Sequence, residues 1–295
     1  MKTMTKQRVA DSPLKKKSQF GECMARLRKN KLAMIGMGIV LLLVLLAVFA
    51  DIIAPYGYAD TDYSARFLYP SAQHLLGTDA MGRDIFSRIV YGGRVSLLVS
   101  LLAIILSLIV GGIMGCVAGF FGGKVDSVIM RITDILQAIP GLMLAVAISS
   151  LLGAGTITTA IAIAASSIAP SVRILRSTIL SIREQEYVEA ARATGSSSAR
   201  IIFKQILPNT LSPIIVDTSL RVGTNIMQIS SLSFIGLGVQ SPTAEWGSML
   251  SEGLNYIRDF YPLILFPGLA IMLTLFGFNV FGDGLRDALD PRLKQ

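Results

Sequence analysis

The sequence predicts an all-α, polytopic membrane protein with about six transmembrane helices, and three observations predict it. Hydrophobic residues make up 52% of the 295-residue chain and charged residues only 16%, against about 25% charged in soluble domains. Residues 32–50 run nineteen positions without a charge, and residues 95–123 run twenty-nine. A helix needs roughly 20 apolar residues to cross a bilayer, so both runs qualify. Finally, ten basic and two acidic residues fall within the first 31, an excess equal to the whole chain's net charge of +8.

Taken in order, residues 1–31 are a basic tail with Lys15, Lys16 and Lys17 at its middle. Such a tail is held near anionic lipid, so the basic balance marks a membrane anchor and not a nucleic-acid surface. The first span, 32–50, has a nineteen-residue core, longer than the roughly 7–15 residues of a cleaved signal peptide. It reads as a retained anchor. An outer segment follows to residue 94, and spans are expected at 95–123, 129–152, 155–172, 210–237 and 262–281.

Lys and Arg are retained on the cytoplasmic side. With the tail inside, six spans place 54–94, 153–154 and 239–261 outside, and 122–128, 173–209 and the C-terminus inside. Twenty-one basic residues then lie in or near inside segments, five lie outside, and Arg221 lies within a span. The expected localisation is a bacterial cytoplasmic (inner) membrane, multi-pass, with both termini cytoplasmic.

In the outer segment, Arg66, Arg83, Arg88 and Arg94 balance Asp60, Asp62, Asp79 and Asp84, and Ile85, Ile89 and Val90 recur at helical spacing. This suits an amphipathic helix leading into the second span. Interfacial anchoring and a docking surface for an outer partner are both compatible with it. His74 stands without a Cys or carboxylate cluster and reads as a loop residue, so a transition-metal site is not expected. Cys23 in the tail and Cys116 in a span do not form a disulfide framework.

The stretch EYVEAARATGSSSARIIFKQILPN, residues 186–209, interrupts the apolar runs. Good helix formers from 183 to 194 predict one helix. Gly195 supplies the left-handed residue that ends it, and Ser196, Ser197 and Ser198 offer caps for the next. That second helix carries Ile201, Ile202, Phe203, Ile206 and Leu207, and Pro208 is expected to stop it. Ala190, Ala191 and Ala193 leave one surface smooth. A plain cytoplasmic loop is the bland alternative to an ordered docking elbow.

Spacing favours the elbow. Glu189-Ala190-Ala191, Gly195 and Leu207-Pro208 resemble the EAA loop of ATP-binding-cassette importer permeases. Gln205 stands where the family pattern has Ile, with Ile206 one place later. LGTDAMGRDIFSRIVYGGRVSL (76–97), SFIGLGVQSPTAEWGSML (233–250) and DGLRDALDPRL (283–293) resemble segments of permeases for dipeptides, oligopeptides, nickel and glutathione, in their second or "C-type" subunit. The resemblance implies a type I importer (MetI-like) transmembrane domain. It divides the chain into the tail 1–31, a first helix with outer segment 32–94, the transmembrane domain 95–283 with a coupling elbow at 183–208, and a C-terminus 284–295.

It also implies partners: a second homologous permease, two ATP-hydrolysing subunits and an extracytoplasmic substrate-binding protein. Glu189, Ala190, Ala191, Gly195, Leu207 and Pro208 would couple to the ATPase. Peptide cargo is expected, with nickel or glutathione as alternatives. The chain has no G-x-x-x-x-G-K-[ST] phosphate loop, so ATP and Mg would be bound by the partners, no cofactor by this chain, and no catalytic role is expected.

An ionisable residue within a span is a functional candidate. Asp217 and Arg221, four apart, share a helix face, and Thr224, Asn225, Gln228 and Ser231 continue it. A self-neutralising pair and a wall of the translocation pathway (Asp217, Arg221, Asn225, Gln228) are the two readings. Asp134 and Gln137 are weaker versions of the same feature. Two rival classes lack their signatures: an intramembrane enzyme needs convergent catalytic groups, and an ion-gradient secondary transporter is expected to show inverted halves with broken helices.

Overall fold

Long apolar runs become long helices because hydrocarbon cannot hydrogen-bond backbone groups, which must be satisfied within each segment. The computed structural model describes residues 19–289, and its regular elements are helices. The tail's triple lysine and the last residues of the C-terminus lie outside the described residues. Helices α1 (Gln19–Leu27) and α2 (Lys31–Val48) meet at Asn30, whose side chain accepts from the Ala33 amide. The short α3 (Ala50–Ile53) follows, then an irregular outer segment, then α4 (Ile85–Phe121).

The next two helices, α5 (Gly123–Ala138) and α6 (Gly141–Leu152), are bent by 85°. They correct the expected continuous span 129–152. Pro140 forces Ile139 out of the helical region, to φ −92° and ψ 124°. Helix α7 (Thr156–Arg183) runs eleven residues past its expected end at 172. The elbow contains α8 (Glu186–Ala193), α9 (Ser198–Ile201) and a π turn, Ile202–Ile206. Then come α10 (Leu207–Phe234), α11 (Trp246–Leu254) and α12 (Pro262–Leu289).

Among the described residues, four helices (α2, α4, α7 and α12) are long and apolar enough to cross a membrane, and the bent α5–α6 pair would make a fifth. The remaining expected span, 210–237, is α10, which has the length but is too polar to qualify on composition. Of its polar residues, Arg221 is held by the neighbouring α7.

Small residues let these helices approach closely, the usual packing device in a bilayer. Gly111, Gly115 and Gly119 form one seam of α4 against α7. A Cβ at Gly111 would lie 2.7 Å from Ser171 Cβ, and one at Gly115 would lie 2.8 Å from the Val172 carbonyl. Gly36 and Gly277 make the corresponding seam between α2 and α12. The core between α4, α6, α7 and α10 gathers Val99, Ala103, Ala145, Ile163, Ile229 and Leu232. Leu41, Leu42 and Val48 on α2, and Leu98, Leu101 and Ile109 on α4, point outward, as lipid-facing positions would.

Candidate functional site

The elbow is built from a clamped inner side and an open outer side. Arg183, at the end of α7, donates to the carbonyls of Gly119 and Phe120 and so caps α4. Glu184 and Gln185 then turn the chain, and α8 begins at Glu186, three residues later than expected. Thr194 Oγ1 accompanies its C-terminus by donating to the carbonyls of Ala190 and Ala191. Gly195 takes φ +75°, and the Ser196 amide reaches back to the Ala191 carbonyl at 3.0 Å, closing the helix end as the sequence predicts. Ser197 caps α9 by accepting from the Arg200 amide.

Pro208 departs from the expectation. It does not stop the second arm; it sits in the first turn of the 28-residue α10, where a missing N–H matters least. The π turn just before it carries the chain from α9 into α10, with the Leu207 amide donating to the Ile202 carbonyl. Proline cannot bond the carbonyl four residues back and its ring crowds it, so a wider turn makes room.

Val188, Ile201 and Ile206 are buried against Phe120 and Ile179, with Cys116, Ile182, Ala191 and Ile202 packed around them. Arg192 lies 5.6 Å from the Phe120 ring centre. Opposite this anchor, Glu189, Ala190, Ala193, Gly195 and Pro208 are exposed, and Phe203 is 69% exposed. Ala191, expected on the smooth face, turns toward the apolar cluster instead. Leu207 is half-buried.

Two ion pairs pin the helices that carry the elbow. Arg176 grips Asp126 with two donors, and Arg173 meets Asp134 at 2.6 Å, so α7 is pinned to α5. Gln137 is exposed.

On α10, Asp217 and Arg221 form the predicted pair at 2.6 Å. Arg221 also donates to the Ser167 carbonyl and to Ser171 Oγ on α7, each at 3.1 Å. The stripe is split beyond that point. Asn225 is only 2% exposed, while Thr224 and Met227 face outward. Asn225 Nδ2 and Gln228 Oε1 are buried without a hydrogen-bond partner.

The end of the bundle away from the elbow contains residues whose grouping sequence reasoning missed. Arg83 and Arg88 are enclosed by protein, at 3% and 1% exposed. Arg83 bonds Asp79 at 2.6 Å and Glu252 of α11 at 2.6 Å, and Arg88 bonds the same Glu252 oxygen at 3.1 Å. Ile85 and Val90, assigned to an amphipathic face, are buried by protein. Glu245 caps α11 and accepts from Ser230, Ser96 and the Ser248 amide. Trp246 lies on Gly92 and Gly93 and donates to the Ile89 carbonyl. His74 is more than a loop residue: it meets Asp84, the cap of α4, at 2.9 Å, and Tyr56 stacks on its ring. No group of three or more metal-ligating side chains occurs among the described residues.

A bundle of apolar helices, sealed by a polar cap at one end and carrying an exposed elbow at the other, defines a polytopic membrane permease. Residues 108–295 match the family described as binding-protein-dependent transport system inner membrane component, and residues 18–70 match the N-terminal TM domain of oligopeptide transport permease C. The chain belongs to this family of inner-membrane transport components, in its dipeptide and oligopeptide branch.

It is 47% identical over 277 residues to the dipeptide transport system permease protein of Alkalihalophilus pseudofirmus, covering 94% of this chain and 91% of that one. It is 42% identical to the oligopeptide transport system permease protein of Bacillus subtilis, again covering 94% and 91%. A glutathione transport system permease protein of Escherichia coli is 42% identical, covering 94% and 92%. Among solved structures, an inward-facing methionine ABC transporter chain superposes with a TM-score of 0.58 at 16% identity, covering 70% of this chain and 98% of that one. The fold is therefore that of an ABC importer transmembrane domain.

Proposed function

We propose that this permease forms half of the translocation pathway of an ATP-driven peptide importer, pairing with a second permease and receiving short peptides from an extracytoplasmic binding protein. Two ATP-hydrolysing subunits dock on the elbow from the cytoplasm, where both termini also lie. Glu189, Ala190, Gly195 and Pro208 meet the ATPase; Ala191 and Leu207 seat those residues on the bundle. This chain supplies no catalytic group and binds neither ATP nor Mg. Closure of the ATPase pair pushes the elbow, and the ends of α4 and α7 carry the push into the spans.

The observation that carries this reading is the elbow's asymmetry. A surface of small and charged side chains, open to a partner, is fixed to the ends of two long helices by Val188, Ile201 and Ile206. A load on the outer face is then transmitted to the bundle and not absorbed by a loose loop.

The pathway wall is formed on α10. Asp217 and Arg221 neutralise each other and lock α10 to α7, so the two helices move as one. Asn225 and Gln228 hold buried amide atoms without partners, a costly arrangement that rocking of the bundle relieves by exposing them to cargo.

The test is uptake of a labelled dipeptide by vesicles containing the complex, with ATP removed while the ion gradient is kept. Uptake stops with ATP removal in the wild type. Glu189→Lys and Gly195→Asp insert normally but lose uptake and cargo-stimulated ATP hydrolysis. Uptake that survives ATP removal, or normal coupling in both variants, contradicts the proposal.

A further inference from the structure

The outer charge cluster has a feature its structural role does not require. Asp79, Arg83, Arg88 and Glu252 all line one cavity of about 330 Å³. Burying four charges is a poor route to stability, since an apolar set of the same volume serves as well or better. Three members are almost fully enclosed: the side chains of Arg83, Arg88 and Asp79 are 4%, 1% and 7% exposed. Glu252 is different. Its side chain is 34% exposed, it belongs to the separate short helix α11, and one of its oxygens accepts from both guanidinium groups.

Remove that carboxylate and the cluster becomes a pocket of net charge +1, with two fixed guanidinium forks facing an open cavity. Planar guanidinium groups match a carboxylate in geometry as well as charge. The rest of the lining is suited to the remainder of a small molecule. Met81, Met249, Tyr256 and Leu263 are apolar or amphipathic, while Ser241 and Asn255 can bond an amide. A protein side chain docking from outside would not need such a chamber.

We propose that this cavity is a binding site for the terminal carboxylate of a short peptide, and that Glu252 is its built-in occupant, displaced when the peptide enters. The exchange conserves charge, because one carboxylate replaces another on Arg83 and Arg88, and no bond is made or broken. Displacement removes one of the ties between α11 and the start of α4, the Glu252 bonds to Arg83 and Arg88, while Trp246 and Glu245 keep theirs, so an occupied site loosens the cap at the Glu252 end. This inference rests on the peptide-importer reading for the identity of its ligand.

A distinctive consequence follows from competition. Neutralising the internal competitor with Glu252→Gln should tighten peptide binding by about tenfold, the worth of a charge-assisted hydrogen bond released to the ligand. A cluster that is only structural predicts no gain. The experiment is calorimetric titration of the full chain in nanodiscs with the dipeptide Ala-Phe, with its C-terminal amide, and with acetate.

The expected result is weak binding of Ala-Phe to the wild type, tighter binding to Glu252→Gln, no binding of the amide, and weak competition by acetate. Met81→Trp narrows the cavity while keeping all four charged side chains and the Met81 backbone amide that donates to Asp79, and it abolishes binding. Should Glu252→Gln fail to fold, this variant keeps the proposal testable. Equal affinity for acid and amide, no gain in Glu252→Gln, or unchanged binding in Met81→Trp each overturns it. ATP-driven dipeptide uptake by the complex, measured alongside, separates the two readings: uptake without titratable binding overturns the site alone, and absence of uptake overturns the peptide reading.

Discussion

At the end of the bundle proposed to face outward, two buried arginines share Asp79 and Glu252, and Glu245 accepts three hydrogen bonds at the start of α11. At the end proposed to face the cytoplasm, Val188, Ile201 and Ile206 fix the elbow by apolar contact and leave its far side bare. The difference lies in how complete each end is. The outer cap is closed on itself by directional bonds, so it changes only by exchanging partners. The elbow's anchor is complete but its outer surface is not, which is how a surface awaiting another subunit is built. Glycine seams between α4 and α7 join the two ends through a stiff pair of helices.

The comparison can be broken most severely at the elbow's anchor. Ile206→Asp places an unpaired charge where the wild-type side chain is fully buried, and should destabilise the chain by at least about 3 kcal/mol. The check is recovery of folded protein from membranes, expected to fall to background. A normal yield would show that the elbow is not fixed as described.

At the outer end, Arg88→Met leaves Asp79 and Glu252 to Arg83 alone, a loss of about 2–3 kcal/mol. Thermal unfolding in detergent should show a lower transition temperature, while protease sensitivity at the elbow stays unchanged. Equal loosening of both ends would deny their independence.

Between the ends, Asp217→Ala leaves Arg221 without its carboxylate, and Arg221→Ala strips both Asp217 and its bonds to α7. Each single variant should lose about 1–3 kcal/mol, and the double variant should lose less than their sum. Complex yield across the four proteins measures it, and strict additivity would remove the pair.

The smallest effect belongs to the exposed pair of Asp51 and Arg94. Hydrogen bonds from Arg94 and then Tyr91 hold the Asp51 carboxyl below its ordinary value of 3.8. A lowered folded-state value means that the stabilisation is present above 3.8 and is lost as pH falls through the lowered value. Because the Asp51 side chain is 67% exposed, Asp51→Asn should leave the melting temperature at pH 7 almost unchanged, which thermal scans at pH 7 and pH 3 would check.

Much of this was legible in the sequence, and particular residues show why the rest was not. Apolar runs announced α2, α4 and α12 because hydrophobic length is a local property. The Asp217–Arg221 pair was legible for the same reason, being four residues apart on one helix. Gly195 and Ser197 announced their helix end and cap by residue type. Pro140 carried the signal for the α5–α6 bend but lay inside an apolar stretch that read as one span. The Gly111, Gly115, Gly119 spacing was present too but went unread, because its partner residues on α7 lie more than fifty positions away and meet it only in the fold. Pro208 misled because a proline that stops one helix also suits the first turn of the next, and only the π turn decides between them. The outer cluster was beyond local reading: Arg83 and Glu252 are 169 residues apart, and their balanced charges look like any solvated loop until the chain is folded.

The central claim is that the exposed elbow meets an ATP-hydrolysing subunit inside the cell. A photo-reactive amino acid at Ala190, activated in intact cells, tests it most directly. Mass spectrometry of the adduct should identify an ATP-binding-cassette ATPase, and the adduct should diminish when Glu189→Lys is combined with the probe. Adducts formed only with an extracytoplasmic protein or with lipid would contradict the account, because an elbow on that side could not receive the ATPase's motion.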